Sequence, residues 1–148
     1  MKISYKGDYA IKALLDLALN HKGEEKVFKI TDMSKRLDIP LKFLEAVLLN
    51  LKKGGFVKSK RGKEGGYYLA KQPVSISLGN IVRYIEGPIE PIACVDDCYK
   101  GCKDSKECVI KNVWKKTTHA VSEIIDNISL EDLANQSRQK RQVLHYYI

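Results

Sequence analysis

The chain has 148 residues, with 26 Lys and Arg against 18 Asp and Glu, for a formal net charge of +8. That length suits one domain, or one domain with an added helical arm, and the basic excess favours a polyanionic partner. No apolar run approaches the roughly 20 residues of a membrane span. No continuous apolar core follows Met1-Lys2-Ile3-Ser4-Tyr5-Lys6-Gly7-Asp8, so the chain reads as cytoplasmic, with no membrane partner.

Ile11, Leu14, Leu15, Ala18 and Leu19 follow helical spacing, which predicts a first helix over about 8–20, ended by Asn20-His21-Lys22-Gly23. Ile30, Met33 and Leu37 mark a short second helix. Asp38-Ile39-Pro40 is the turn after it, because proline disfavours helix at the residue before it. Leu44, Val47, Leu48 and Leu51 mark a third helix, closed by Gly54-Gly55. Two short strand-like runs, 56–59 and 67–70, flank Arg61-Gly62-Lys63-Glu64-Gly65-Gly66. Gly62, Gly65 and Gly66 allow the positive φ of a tight hairpin tip, which would hold Lys60, Arg61 and Lys63 out from the domain.

Ser77 caps a helix carrying Leu78, Ile81, Val82 and Ile85, and Gly87-Pro88 stops it. A loop with Pro91, Asp96, Asp97, Gly101 and Asp104 holds all four cysteines, Cys94, Cys98, Cys102 and Cys108. After it, Ile110, Trp114, Thr117, Val121, Ile124 and Ile128 alternate spacings of four and three on a long helix. That pattern is close to a coiled-coil seam and is read as a dimerisation face rather than a stripe on the chain's own core. Ser129-Leu130-Glu131-Asp132-Leu133 starts a short final helix. A polar, basic tail follows from Asn135 to His145-Tyr146-Tyr147-Ile148.

A helix-turn-helix followed by a basic, glycine-rich hairpin reads as a winged-helix DNA-binding domain. The fold class is therefore mainly α with a small β-wing, plus a long dimerisation helix. The expected organisation is 1–87 for the DNA-binding domain, 88–108 for the cysteine loop and 109–148 for the dimerisation helix and tail. From Lys35 to Lys63 there are nine Lys or Arg against two acids, Asp38 and Glu45. The second helix of such a motif presents its N-terminal residues to base edges in the major groove. Lys42 can donate to phosphate or guanine there. Glu45 can accept from cytosine N4 or remain a surface charge paired with a lysine. Phe43 can meet a thymine methyl or close the core. Lys35, Arg36, Lys52, Lys53, Lys58 and Lys60 are candidate phosphate contacts, and Arg61, beside Lys63, can enter a narrow minor groove. A dimer would present two such units to a roughly palindromic double-stranded operator.

Four cysteines within one short segment point to metal or redox chemistry rather than a disulfide framework. Thiolates suit an iron–sulfur cluster, and four of them also suit zinc, although Cys-x3-Cys-x3-Cys-x5-Cys lacks paired Cys-x2-Cys knuckles. His21, His119 and His145 lie far apart with no nucleophile motif beside them. There is no phosphate-binding loop, so an enzyme is not expected.

Three segments carry a resemblance. They are Arg61-Gly62-x-x-Gly65-Gly66-Tyr67, the opening Met1-Lys2-Ile3-Ser4-x-Lys6-Gly7-x-Tyr9-Ala10, and Ser77-Leu78-Gly79-x-Ile81-Val82. From Met1 to about Leu133 the chain resembles the IscR/NsrR/CymR-type bacterial transcription regulators, the Rrf2 family. The resemblance implies a homodimeric winged-helix regulator, a repressor ahead of an activator, with the long helix at the dimer interface. In the cluster-binding members a cysteine loop before that helix holds an iron–sulfur cluster that tunes DNA affinity in response to cluster status, redox state or nitric oxide. The family pattern uses three cysteines. Cys102 and Cys108 match the last two, and Cys94 is preferred to Cys98 for the first. The implied cofactor is a 2Fe-2S cluster ahead of 4Fe-4S, with zinc or no metal as alternatives. IscR-like members place a histidine ligand where this chain has Lys111. NsrR-like members use an N-terminal carboxylate from the partner subunit, and Asp8 stands at that place, where it could equally be the N-cap of the first helix. The alternative within the family is a clusterless, CymR-like regulator controlled by a partner protein or by thiol redox.

Overall fold

A computed structural model describes residues 2–21, 26–103 and 107–146. The residues 1, 22–23, 104 and 147–148 named above lie outside the described residues. The elements in chain order are α1 (Tyr5–Leu19), α2 (Ile30–Leu37), α3 (Leu41–Lys53), β1 (Val57–Lys60), β2 (Gly66–Leu69), α4 (Leu78–Glu86), α5 (Val109–Asp126) and α6 (Leu130–Tyr146). Short 3-10 turns lie at Pro73–Ser75 and Ala93–Val95.

Helix α1 is the axis of the core and packs against α6, α3, α4 and α2. It starts three residues earlier than its apolar spacing indicates, because Ser4 rather than Asp8 is the N-cap: the Ser4 hydroxyl accepts from the Gly7 amide at 3.1 Å. The same serine donates to the Glu86 carboxylate through its hydroxyl, 2.7 Å, and its amide, 3.0 Å. The end of α4 therefore anchors the start of α1. A side chain at position 7 would collide with the Glu86 carboxylate, which accounts for Gly7 in the opening segment. Leu14, Leu17, Met33, Leu44, Leu48, Leu51, Ile81 and Leu130 are fully buried together.

The α2–α3 turn is closed by Asp38 in the left-handed region, φ 52°, and Pro40 leads into α3. Strands β1 and β2 pair antiparallel from Val57–Leu69 to Lys60–Gly66. Phe28 adds a one-residue bridge on the outer side of β2, exchanging two 2.9 Å hydrogen bonds with Tyr67. The strands lie about one residue from the expected runs, so Lys60 ends β1 and is not part of the tip. Gly62 and Gly66 have positive φ, 105° and 158°. Gly65 does not: it is needed because the Lys60 and Gly62 carbonyls crowd the position where a side chain would begin.

Ser77 caps α4, accepting from the Asn80 amide at 3.1 Å, and Gly87 at φ 87° ends it. Arg83 and Asp126 form a two-pronged ion pair, 2.5 and 3.0 Å, which ties α4 to the end of α5. The Arg83 hydrogen bond holds the Asp126 carboxyl below its usual value.

Two expectations fail at the C-terminal end. Ile128 is not on the long helix, because α5 stops at Asp126. The chain then turns so that the Ile128 carbonyl accepts from Leu78 at 2.8 Å, and the Leu130 amide donates to Ile76 at 2.9 Å. The segment from Asn135 is not a loose tail either. Helix α6 runs to Tyr146, with Leu130 and Ala134 in the core and Ser129 and Asp132 forming reciprocal hydrogen bonds at its start. Arg138 of α6 donates to the Ala18 and Leu19 carbonyls, both 3.3 Å, placing a cation on the negative end of the α1 dipole. Among the described residues, no helix is long and apolar enough to cross a membrane.

Candidate nucleic-acid interface and cysteine loop

Helix α3 buries Leu44, Val47, Leu48 and Leu51 against the core. Its 3.6-residue repeat then turns Lys42, Glu45, Ala46, Leu49 and Lys53 outward, and all five are exposed. Phe43 is 61% exposed and does not close the core. With Tyr5, Tyr9, Ala46 and Val47 it lines an open apolar groove of about 480 Å³ between α1 and α3. Glu45 forms no ion pair among the described residues, so its pairing with a lysine is not seen. It lies near enough to the wing for its charge to add to burial in raising the Tyr67 phenol above its usual value.

The wing tip presents Arg61, Gly62, Lys63 and Glu64 to solvent. Lys52 on α3 donates to the Ser59 hydroxyl of β1 at 2.7 Å, which ties the hairpin to α3. Lys35, Lys42, Lys53, Lys58 and Lys60 are all exposed, with cations on the surfaces of α2, α3 and β1.

Arg36 also has a partner within the chain. Its guanidinium grips Asp16 of α1 with two hydrogen bonds, 3.1 and 2.7 Å, and sits 5.8 Å from the centre of the Phe28 ring. Asp16 is buried and the pair ties α2 to α1, while the Arg36 side chain remains 41% exposed. Its partner lies twenty positions away. Only the occurrence of an acid on the otherwise apolar face of α1 hints at the pair in sequence.

The four cysteines are free. Cys94, Cys102 and Cys108 are half-buried and Cys98 is exposed. Cys94 lies in the 3-10 turn and Cys108 is the residue before α5. The loop is tied to α5 by Asp97, which accepts from Lys115 at 2.5 Å and lies 3.8 Å from Lys111. The hydrogen bond from Lys115, with the charges of both lysines, holds the Asp97 carboxyl below its usual value. Lys111, at the position where IscR-like members have histidine, thus faces a carboxylate. Asp8 is in the first turn of α1, paired with Lys12 at 2.7 Å. Among the described residues no three Cys, His, Asp or Glu side chains converge to hold a metal ion.

Helix α5 has no buried residue. Ile110 and Ile124 are 61% and 62% exposed, Trp114 37%, and Thr117 is open, while Val121 is half-buried. Val109 and Val113 are also exposed and widen the apolar stripe beyond the expected seam, which followed a single heptad line.

The sequence profile of the Rrf2 family, described as iron-dependent transcriptional regulators, matches residues 3–136. The chain belongs to the Rrf2 family of transcriptional regulators. It is 38% identical over 136 residues to an rrf2-like HTH-type regulator of Rhodobacter capsulatus, covering 88% of this chain and 91% of that one. It is 33% identical to the HTH-type regulator CymR of Bacillus subtilis over the whole of both chains. The solved structure of CymR, the global cysteine regulator of B. subtilis, superposes with a TM-score of 0.75 at 32% identity, over 92% of this chain and 98% of that one. IscR of T. potens gives a TM-score of 0.71 at 34% identity, over 93% and 88%. The fold is therefore the winged helix of these regulators, and the chain is a transcription regulator rather than an enzyme. DNA binding is a property of the family, and α2, α3 and the β1–β2 hairpin are the elements that make up its motif.

Proposed function

We propose that this Rrf2 regulator acts as a homodimer through α5 on a roughly palindromic operator. Its DNA affinity is set by the chemical state of the cysteine loop, with an iron–sulfur cluster as the group that carries that state. The observation that carries the reading is that three half-buried free thiols share one short loop whose last cysteine, Cys108, directly precedes α5, a helix with no buried residue and an exposed apolar stripe. Cys94, Cys102 and Cys108 are the ligands by the family pattern, Cys98 is spare, and Asp8 of the partner subunit completes the set. Soft thiolates suit a 2Fe-2S or 4Fe-4S cluster, which would supply a centre sensitive to oxidants and nitric oxide. Three contacts join the loop to the DNA-binding unit: Asp97 to Lys115 of α5, Asp126 of α5 to Arg83 of α4, and Glu86 of α4 to Ser4 of α1. A change in loop packing can in this way bias the spacing of two recognition helices.

The end-to-end match to CymR favours a second reading. In it the chain is a clusterless regulator governed by a partner protein or by thiol oxidation. Purification without oxygen, followed by a visible spectrum and iron and sulfide counts, separates the two. A brown protein with about two or four irons per chain supports the cluster. A colourless protein that binds DNA supports the second reading, and zinc analysis of the same sample covers the remaining metal.

For the DNA side, Lys42, Glu45, Lys58, Lys60, Arg61 and Lys63 are the proposed contacts. Arg61 enters the minor groove and Glu45 accepts from a cytosine. Replacing Arg61 with alanine is expected to weaken specific binding by about 1–3 kcal/mol at matched salt. An unchanged dissociation constant would mean that the tip points away from DNA.

A further inference from the structure

The exposed residues of α3 include the charged Lys42, Glu45, Lys52 and Lys53 and the apolar Leu41, Phe43, Ala46 and Leu49. Leu49 lies one turn beyond Glu45 and two beyond Lys42, with Ala46 and Lys53 beside it. It is 48% exposed and belongs neither to the core nor to the apolar residues packed around it. A lone surface leucine is ordinary. This one shares the exposed side of α3 with Lys42, Glu45 and Lys53, where a lysine or arginine would serve the helix equally well and add a phosphate contact. A second copy of the chain is a poor occupant for this spot, because Lys42 and Lys53 would meet their own like charges.

We propose that Leu49, with Ala46, reads a thymine methyl group in the major groove beside the base contacted by Glu45. The inference rests on the reading of α3 as the base-reading helix. Among the groups displayed on base edges in that groove, the thymine methyl is the apolar one. Four residues of helix advance about 6 Å against a base spacing of about 3.4 Å, so the thymine lies one or two steps from the Glu45 base. Leu49 is thus a specificity-determining residue, and the half-site contains a thymine close to that base.

The test starts by selecting binding duplexes from a random pool with the full-length protein. Each thymine of a selected half-site is then replaced by uracil, which removes only the methyl. At one thymine within two steps of the base whose identity ceases to matter in Glu45→Ala, uracil should weaken binding about fourfold, the transfer value of one methyl group. In Leu49→Ala that fourfold difference should vanish while folding, followed by thermal unfolding, is retained. If no uracil position matters, or if the effect persists unchanged in Leu49→Ala, the Leu49 assignment is overturned while specific binding stands. If the pool yields no preferred sequence, the base-reading role of α3 fails with it.

Discussion

Leu130→Ala is expected to cost about 2–5 kcal/mol of folding stability, the usual range for emptying a fully buried leucine site. Leu130 is wholly inaccessible, and its amide is held by the Ile76 carbonyl where α6 begins. It seats α6 on α1, and α1 in turn carries α2, α3 and α4. Denaturant unfolding measures the effect: the midpoint should fall with little change in slope. A loss under about 1 kcal/mol would mean that α6 is not part of the folded unit but a loosely attached arm.

A second large effect is expected on α5. Ile110→Glu combined with Ile124→Glu places two like-charged pairs in the proposed interface while disturbing little of the single chain, since both side chains are already exposed. The protein should become monomeric by light scattering. Because each copy would then engage one half-site alone, operator affinity should fall about a hundredfold or more. A variant that stays dimeric with unchanged affinity would place the interface elsewhere.

Much of the fold was legible from local signals. Apolar residues at helical spacing located the first five helices. Ser77 and Gly87 marked both ends of α4, and the glycines bracketed the wing. What was missed lies in long-range partners. The first helix begins at Tyr5 because Glu86, from the far end of α4, supports the Ser4 cap. The Arg36–Asp16 pair and the Phe28–Tyr67 bridge join segments that carry no matching local pattern. The part of α6 from Asn135 read as a polar tail because, among the described side chains, the buried apolar residues of the helix, Leu130 and Ala134, lie in its first turns, and its middle is fastened by Arg138 to the carbonyls that end α1. The seam on α5 was readable as a periodicity, yet its end was not, because the turn after Asp126 is held by backbone hydrogen bonds to the distant residues Ile76 and Leu78. The cysteines were visible at once. The tie between their loop and α5 through Asp97 was not, since it depends on how the loop folds back over Lys111 and Lys115.

The central claim is that the cysteine loop governs DNA binding through α5. The most direct measurement compares operator affinity for protein purified without oxygen before and after iron removal, alongside a variant with Cys94, Cys102 and Cys108 all replaced by serine. The account predicts a clear change in dissociation constant on iron removal, of the order of 5–150-fold as for ordinary coupling between two sites. The variant should hold no iron and match the stripped protein. Equal affinity in all three samples would contradict it and leave a regulator whose cysteines have no part in reading DNA.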